Sequence, residues 1–324
     1  MQAIIPVAGF GKRLKPHTFS TPKVLLNVGG KPIIAHIIDK LIEEKINKAT
    51  FVIGYLGEKI IQYVNESYPE LEASFVEQKE LLGLGHAIFE AMPTINDKEV
   101  FIVLGDTVFD VDLKNVFDSN NSSLGVKLVD DPRRFGVAVT KDDKVVELIE
   151  KPKTPVSKLA LVGLYYIKNA ELLSTCLKEL IDKNIRKNDE YQLTDALQIM
   201  IQKGEKFTTF PVEGWYDCGK PETLLSTNRF LLTKFSSEYA KDNVIINPPV
   251  FIAESAKLNN CVVGPNTTIA DNCVVEDSII KNSIINSNAV IERSVMENSI
   301  IGSNGVVRGN FNQFNIGDSA EINF

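Results

Sequence analysis

The stretch Ala8-Gly9-Phe10-Gly11-Lys12-Arg13-Leu14-Lys15-Pro16, followed by Thr21-Pro22-Lys23, holds the residues with the clearest chemical use. Glycines let backbone N–H groups approach a polyphosphate closely, and Arg13 and Lys23 supply countercharge. The pattern is not a Walker loop, because GxxxxGK followed by Ser or Thr is absent. Nor is it a dinucleotide fingerprint, since Leu14 stands where GxGxxG needs its third glycine. Alone, a GxG turn after a strand more often marks a tight turn than a ligand.

Carboxylates follow. Leu104-Gly105-Asp106 ends an apolar run in one, and Trp215-Tyr216-Asp217-Cys218-Gly219 supplies another far along the chain. Glu150-Lys151-Pro152 sets an acid beside a base at the close of another expected strand. Taken singly, an Asp at a strand end is often a helix cap, and a Glu-Lys pair is normally a solvated surface feature. Asp110-Val111-Asp112 mimics the DxD motif of glycosyltransferases, but acidic residues also open helices, and that is the role expected here.

The elements that must position these groups read as alternating strands and helices. The apolar run Ala3 to Val7 is an expected strand, as are Ala49 to Ile53, Ser74 to Glu77 and Val100 to Leu104. An amphipathic helix is expected from about Pro32, with Ile33, Ile34, Ile37, Ile38, Leu41 and Ile42 on one face and Lys40, Glu43 and Glu44 on the other. Pro32 suits a first helical turn. Further helices are expected around Glu58 to Glu66 and His86 to Met92. This order implies an α/β domain with a mostly parallel, Rossmann-like sheet covered on both faces. Ligands in such sheets sit beyond the carboxyl ends of the strands, where the loops after Val7, Glu77 and Leu104 converge.

The composition changes near Ser236, and a quasi-repeat runs from Asn247 onward. Its apolar anchors are Ile252, Leu258, Val263, Ile269, Val275, Ile280, Ile285, Ile291, Met296, Ile301 and Val307. Spacings that short match a hexapeptide-like parallel β-helix, not a helical repeat. Asn259, Asn260, Asn266, Asn272 and Asn282 suit its corners, where the backbone turns left-handed. An antiparallel sandwich would need hairpin signals, and Asn304-Gly305 is the one Asn-Gly pair in this stretch. The expected domains are therefore 1–238 and 246–324.

A chain of 324 residues suits a catalytic domain plus an accessory one, and 44% apolar residues support an ordinary core. A formal charge of −7 argues against general affinity for nucleic acid or anionic membrane, so any anion site is local. The opening residues lack a basic leader and a longer apolar region, and no segment approaches membrane-spanning length, so a cytoplasmic location is expected. Cys176, Cys218, Cys261 and Cys273 lack CxxC spacing, and reduced thiols are expected.

Together, GxGxRLxP and the later Pro-Lys make the chain resemble the sugar-1-phosphate nucleotidyltransferase family, which includes UDP-glucose pyrophosphorylase and long-form glucose-1-phosphate thymidylyltransferase. Lys12 stands where that signature has Thr or Ser. The resemblance extends over nearly the whole chain, because long forms also carry a C-terminal left-handed β-helix. It implies a nucleotide site of Ala8, Gly9, Gly11, Lys12 and Arg13, with Gln78 and the Leu82-Gly83-Leu84-Gly85-His86-Ala87 segment reading a pyrimidine base. His86 is expected to be a helix-start residue beside the ligand. Asp106 and Asp217 are implied magnesium ligands. Glu150 and Lys151 are implied contacts of the sugar and its phosphate, with Gly136, Val162 and Glu190 in the sugar-pocket walls; Glu190 lies in the similar stretch Asp189 to Ala196.

The implied reaction joins a nucleoside triphosphate to a sugar 1-phosphate. A phosphate oxygen attacks the α-phosphorus and pyrophosphate leaves in line. The monoester's second pKa of about 6 leaves it largely deprotonated at neutral pH, so no general base is needed. The obstacle is repulsion between anions, which cationic clamps and a metal reduce. Arg13 and Lys23 are assigned to the triphosphate, Lys151 to the sugar phosphate, and Lys12 to the departing pyrophosphate. The base stays open between UTP and dTTP, and glucose 1-phosphate heads the sugar candidates. A catalytically silent subunit of the same fold and a glycosyltransferase are the alternatives. The β-helix, which has no histidine beyond His86 to serve an acyltransferase, is expected to be an oligomerisation or regulatory module of a homo-oligomer.

Overall fold

The computed structural model describes residues 1–154, 156–234 and 243–309. They divide into two compact units: Met1–Leu26 with Lys31–Leu224, and Asn27–Gly30 with the chain from Leu225 onward. The boundary at 238 and the last residues of the 246–324 span lie outside the described residues.

In the first unit the strand Gln2–Pro6 lies between Lys48–Ile53 and Val100–Val103, parallel to both. Ala3, Ile4 and Ile5 are fully buried, as expected of a parallel strand covered on both faces. Ile5 joins Phe51, Phe101 and Ile34, Ile37, Ile38 and Leu41 of the helix Ile33–Glu43 in one core. Ile4 joins Val52, Ile88 and Ile102 in the other. Full burial of each such side chain stabilises the fold by about 1.5–3 kcal/mol. Pro32 caps this helix in an extended conformation (φ −57°, ψ 148°) instead of entering its first turn. The helix expected from His86 starts at Leu84 and runs to Ala91.

The nine-stranded sheet is mixed. Beyond Val100–Val103 it continues through Leu159–Ile167, which is antiparallel to its neighbours Val100–Val103, Ser122–Leu128 and Gly136–Lys141. Gly136–Lys141 and Lys144–Glu150 form a hairpin whose turn residues Asp142 and Asp143 both have positive φ, 50° and 59°. That is the geometry of a turn matched to strand twist.

The second unit contains three four-stranded parallel sheets built from strands of two or three residues. Ile252 pairs with Ile269, Thr268-Ile269 with Ile284-Ile285, and Ile285 with Ile301. Leu258, Val275, Ile291 and Val307 stack likewise on the next face, and Val263, Ile280 and Met296 on the third. The anchors named above form the core of a parallel β-helix, consistent with the left-handed form. Asn260, Asn266, Asn272 and Asn282 occupy left-handed corners with φ of 44° to 60°. Asn259 differs: it ends the strand Lys257–Asn259. Asn304 is also a corner (φ 60°), between strands that belong to different parallel sheets. Asn228 draws Asn27–Gly30 into this unit, because its Oδ1 accepts from Gly29 N at 2.8 Å and from Thr268 Oγ1 at 2.6 Å.

Candidate active site

The two glycines of the opening loop serve different needs. Gly11 is left-handed (φ 67°) and starts a single tight turn, Lys12–Leu14. Leu14 N donates to Gly11 O at 2.9 Å, and Thr18 Oγ1 donates to the same oxygen at 3.1 Å. Leu14 itself is fully buried, so the position that departs from a dinucleotide fingerprint anchors the loop. Gly9 has no such constraint: a Cβ placed there meets nothing within 4 Å. No protein neighbour demands that glycine. On the far side, Phe10 packs on Tyr55 with ring centroids 4.3 Å apart, and Ala8 lies against Gly54, where a Cβ would come within 2.8 Å of its carbonyl oxygen.

Asp106 follows the strand Val100–Val103, and the next strand, Thr107–Asp110, pairs antiparallel with Gly214–Asp217. Asp217 stands opposite Thr107 in that register. Cys218 N donates to Asp106 O at 3.0 Å. The two carboxylates are thereby brought together. Lys23 Nζ donates to Asp106 Oδ2. Burial raises the pKa of Asp217 above the ordinary value and the Asp106 charge adds to the rise, while Lys23, Arg13 and the Gly219 N–H oppose it. Gly219 sits between opposite charges: a Cβ there would be 2.7 Å from Asp217 Oδ1 and 2.8 Å from Arg13 Nη2. A cleft of about 420 Å³ is lined by Gly9, Lys12, Arg13, Lys23, Asp106 and Gly219, among others. Among the described residues no group of three or more His, Cys, Asp and Glu side chains could hold a metal. The donor set here is a pair. Asp112 takes the helix-opening role expected of it, with Oδ1 accepting from Lys114 N at 3.0 Å.

The expected base-reading segment is tied to the Glu190 segment by backbone bonds. Gly85 N donates to Tyr191 O at 2.8 Å, and Tyr191 N donates to Leu82 O at 2.7 Å. Gly83 (φ 103°) leaves no room for a side chain, because a Cβ would come within 2.7 Å of Glu190 Cβ. Gln78 is buried, and its Nε2 donates to Gly83 O at 3.1 Å and lies 3.2 Å from His86 Nδ1. His86 Nε2 is 3.2 Å from Glu90 Oε1 on the same helix. This geometry ties His86 to its own helix and to Gln78.

Glu150 closes its strand opposite Gly136. Thr194 Oγ1 donates to Glu150 Oε2 at 2.7 Å, and a Cβ on Gly136 would press on both, at 2.9 and 3.0 Å. Lys187 Nζ donates to the Glu150 carbonyl oxygen. Lys151 is left-handed (φ 42°), and its Nζ reaches Glu150 Oε1 at 3.4 Å. That conformation costs a non-glycine residue roughly 1 kcal/mol. Asp195, one residue beyond Thr194, has its pKa raised by burial; Lys187 opposes the rise and Glu150 adds to it.

Three groups therefore form: the loop with Lys23, Asp106 and Asp217; Gln78 and Gly83 with Glu190; and Gly136, Glu150 and Lys151. Val162 stands apart. Its side chain is buried in the core that contains Val103 and Leu164. The sequence reading missed Thr194, Lys187 and Gly219 as contributors. Thr194 and Gly219 lie inside the stretches Asp189 to Ala196 and Trp215 to Gly219, but Glu150 beside Thr194 and Arg13 beside Gly219 are remote in sequence.

The chain belongs to the Nucleotidyl transferase family, whose model matches residues 2–234. It is 36% identical over 262 residues to the Bifunctional protein GlmU of Methanocaldococcus jannaschii, an alignment covering 79% of this chain and 61% of that protein. The chain thus spans about three fifths of the length of that relative. With UTP–glucose-1-phosphate uridylyltransferase AglF of Haloferax volcanii it shares 34% identity over 231 residues, 68% of this chain and 93% of that one. Among solved structures, a putative glucose-1-phosphate thymidylyltransferase from Bacillus anthracis in complex with a sucrose superposes with a TM-score of 0.61 at 26% identity, covering 74% of this chain and 98% of that one.

Proposed function

We propose that the chain transfers a nucleotidyl group from UTP or dTTP to a sugar 1-phosphate, glucose 1-phosphate foremost, and releases pyrophosphate. The observation that carries this reading is one cleft in which the glycine loop, Lys12, Arg13 and Lys23 meet Asp106, with Asp217 beside it. Cations alone would suit any anion. Cations beside paired carboxylates suit a phosphate chain that arrives with a divalent metal.

In the proposed reaction a sugar-phosphate oxygen bonds to the α-phosphorus, and the bond from that phosphorus to the bridging oxygen breaks. Arg13 and Lys23 hold the triphosphate, with Ala8, Gly9 and Gly11 presenting loop backbone to it. Lys151 takes the sugar phosphate, and Glu150, Gly136, Val162 and Glu190 form the sugar's surroundings, Val162 through its backbone. Gln78 and Gly83 face the base. Preorganised positive charge lowers the repulsion between the anions, and its position is set before they arrive.

Magnesium fits the Asp106 and Asp217 pair, since it prefers hard oxygen ligands, keeps several waters and adds substrate phosphate oxygens. When bound it supplies charge neutralisation at the phosphates. The AglF likeness favours UTP. One ring methyl separates UTP from dTTP, and a contact of that size is worth ~1–3 kcal/mol, so both triphosphates are expected to react.

A matrix of triphosphates against glucose-, galactose-, mannose- and N-acetylglucosamine-1-phosphates tests the reading through pyrophosphate release. Silence in every cell would sink it and leave a binding subunit. We further propose a cytoplasmic homo-oligomer with domains at 1–238 and 246–324, in which the β-helix serves assembly or regulation. A chain truncated near Ser237 is expected to sediment as a smaller assembly; an unchanged assembly would contradict this.

A further inference from the structure

The loop and its return carry four cations, Lys12, Arg13, Lys15 and Lys23; two are held by protein partners, and a third, Arg13, has Asp217 as a charged neighbour. Lys23 Nζ is bonded to Asp106. Lys15 Nζ lies over the rings of Phe10 and Phe19, 4.9 and 5.0 Å from their centroids, held by attraction to the ring faces. Arg13 Nη2 faces Asp217 across Gly219.

Lys12 is the exception. It lines the same cleft, and among the described residues its side chain has no hydrogen bond, ion pair or ring contact. An ammonium is a compact charge with three donors, well suited to terminal phosphate oxygens. Arg13 and Lys23 stand beside the two carboxylates, the proposed place of the reacting phosphorus. Lys12 touches neither carboxylate. It is therefore available to the rest of the phosphate chain.

We infer that Lys12 contacts the β- and γ-phosphates and not the α-phosphate, and so sets the protein's sensitivity to its own pyrophosphate product. The inference rests on the transfer reading only in treating pyrophosphate as a product. An ammonium in place of a hydroxyl makes a charge-assisted contact, about twice as strong as a neutral one. The chain then holds pyrophosphate more tightly than a hydroxyl at this position allows, which slows turnover as product accumulates.

The test uses the full chain with Lys12→Thr, which restores the hydroxyl, and Lys12→Met, which keeps length without charge. Dissociation constants are measured for three probes: UTP, inorganic pyrophosphate and UDP-glucose. UTP and pyrophosphate are expected to weaken about tenfold or more in both variants, the loss of one charge-assisted bond. UDP-glucose, which lacks the γ-phosphate and the leaving pyrophosphate, is expected to stay within about twofold. Unchanged UTP and pyrophosphate binding would overturn the inference. So would a parallel loss for UDP-glucose, which would place Lys12 on the α-phosphate or on the fold. A wild-type chain that bound UTP and formed no nucleotide sugar would remove the transfer reading, while the three-probe comparison would still decide whether Lys12 reads the pyrophosphate half.

Discussion

The backbone N–H of Cys218 donates to the carbonyl oxygen of Asp106 at 3.0 Å, so the two acidic segments share a hydrogen bond beside their carboxylates. The antiparallel pairing of Thr107–Asp110 with Gly214–Asp217 extends that contact along both strands. Asp106 and Asp217 are thus neighbours by backbone construction, whatever their side chains bind.

Asp106→Asn and Asp217→Asn keep side-chain size and those backbone bonds. Each is expected to lower turnover by roughly 10²-fold or more, by analogy with the loss of one preorganised electrostatic group, and to raise the magnesium needed for half-maximal rate. Initial rates across a magnesium titration check this. Near-normal turnover at limiting magnesium would contradict the proposed ligand pair.

Gly9 and Gly219 separate ligand space from protein space. A methyl at Gly9 enters open cleft, so Gly9→Ala should change stability by less than about 0.5 kcal/mol and weaken triphosphate binding roughly tenfold, equivalent to ~1.4 kcal/mol. A methyl at Gly219 would push on Arg13 and Asp217, and Gly219→Ala should depress turnover even at saturating substrate. Thermal melts paired with kinetics distinguish the two. Equal behaviour of both variants would count against the assignment of Gly9.

Thr194 acts on the proposed sugar site through Glu150. Thr194→Val leaves Glu150 Oε2 without its 2.7 Å donor and should cost about 1–3 kcal/mol of stability, the penalty for a buried acceptor left unmet. The KM for sugar 1-phosphate is expected to rise while triphosphate binding holds. Thr194→Ser should restore both. If the serine variant matched valine, the hydroxyl would not be the operative group.

The β-helix allows a separate test. Ile285 is fully buried in its core, and Ile285→Ala should destabilise by roughly 2–5 kcal/mol. Asn288 holds a left-handed corner (φ 61°), so Asn288→Ala should cost ~1–2 kcal/mol and Asn288→Gly far less. Denaturation curves of the three variants give the order directly; a glycine variant no better than alanine would contradict the corner assignment.

Much of the fold was legible because it is written in local periodicity. Ile33, Ile34, Ile37, Ile38 and Leu41 recur at helical spacing and, with Ala35, are the residues their helix buries. The short apolar steps after Asn247 mark the β-helix anchors for the same reason. Asn259 misled, since an asparagine next to a corner looks like the corner itself; Asn260 alone of that pair turns left-handed. The antiparallel half of the first sheet was less visible, because pairing of Leu159–Ile167 with three strands depends on contacts remote in sequence. Within the candidate site, Arg13, Lys23, Asp106, Asp217 and the glycines of the opening loop announced themselves by type and spacing. Thr194 and Gly219 did not, since each matters through groups that only folding brings near. Val162 sat in a suggestive motif, yet its apolar side chain went to the core.

The central claim is that one site joins two anions and expels a third. It is tested most directly by incubating the full chain with UTP, glucose 1-phosphate and magnesium, and quantifying nucleotide sugar and pyrophosphate in the same sample, with Asp217→Asn alongside. Equimolar products are expected from the wild type, with a loss of roughly 10²-fold or more in the variant. Pyrophosphate without nucleotide sugar, or equal rates from both proteins, would contradict it.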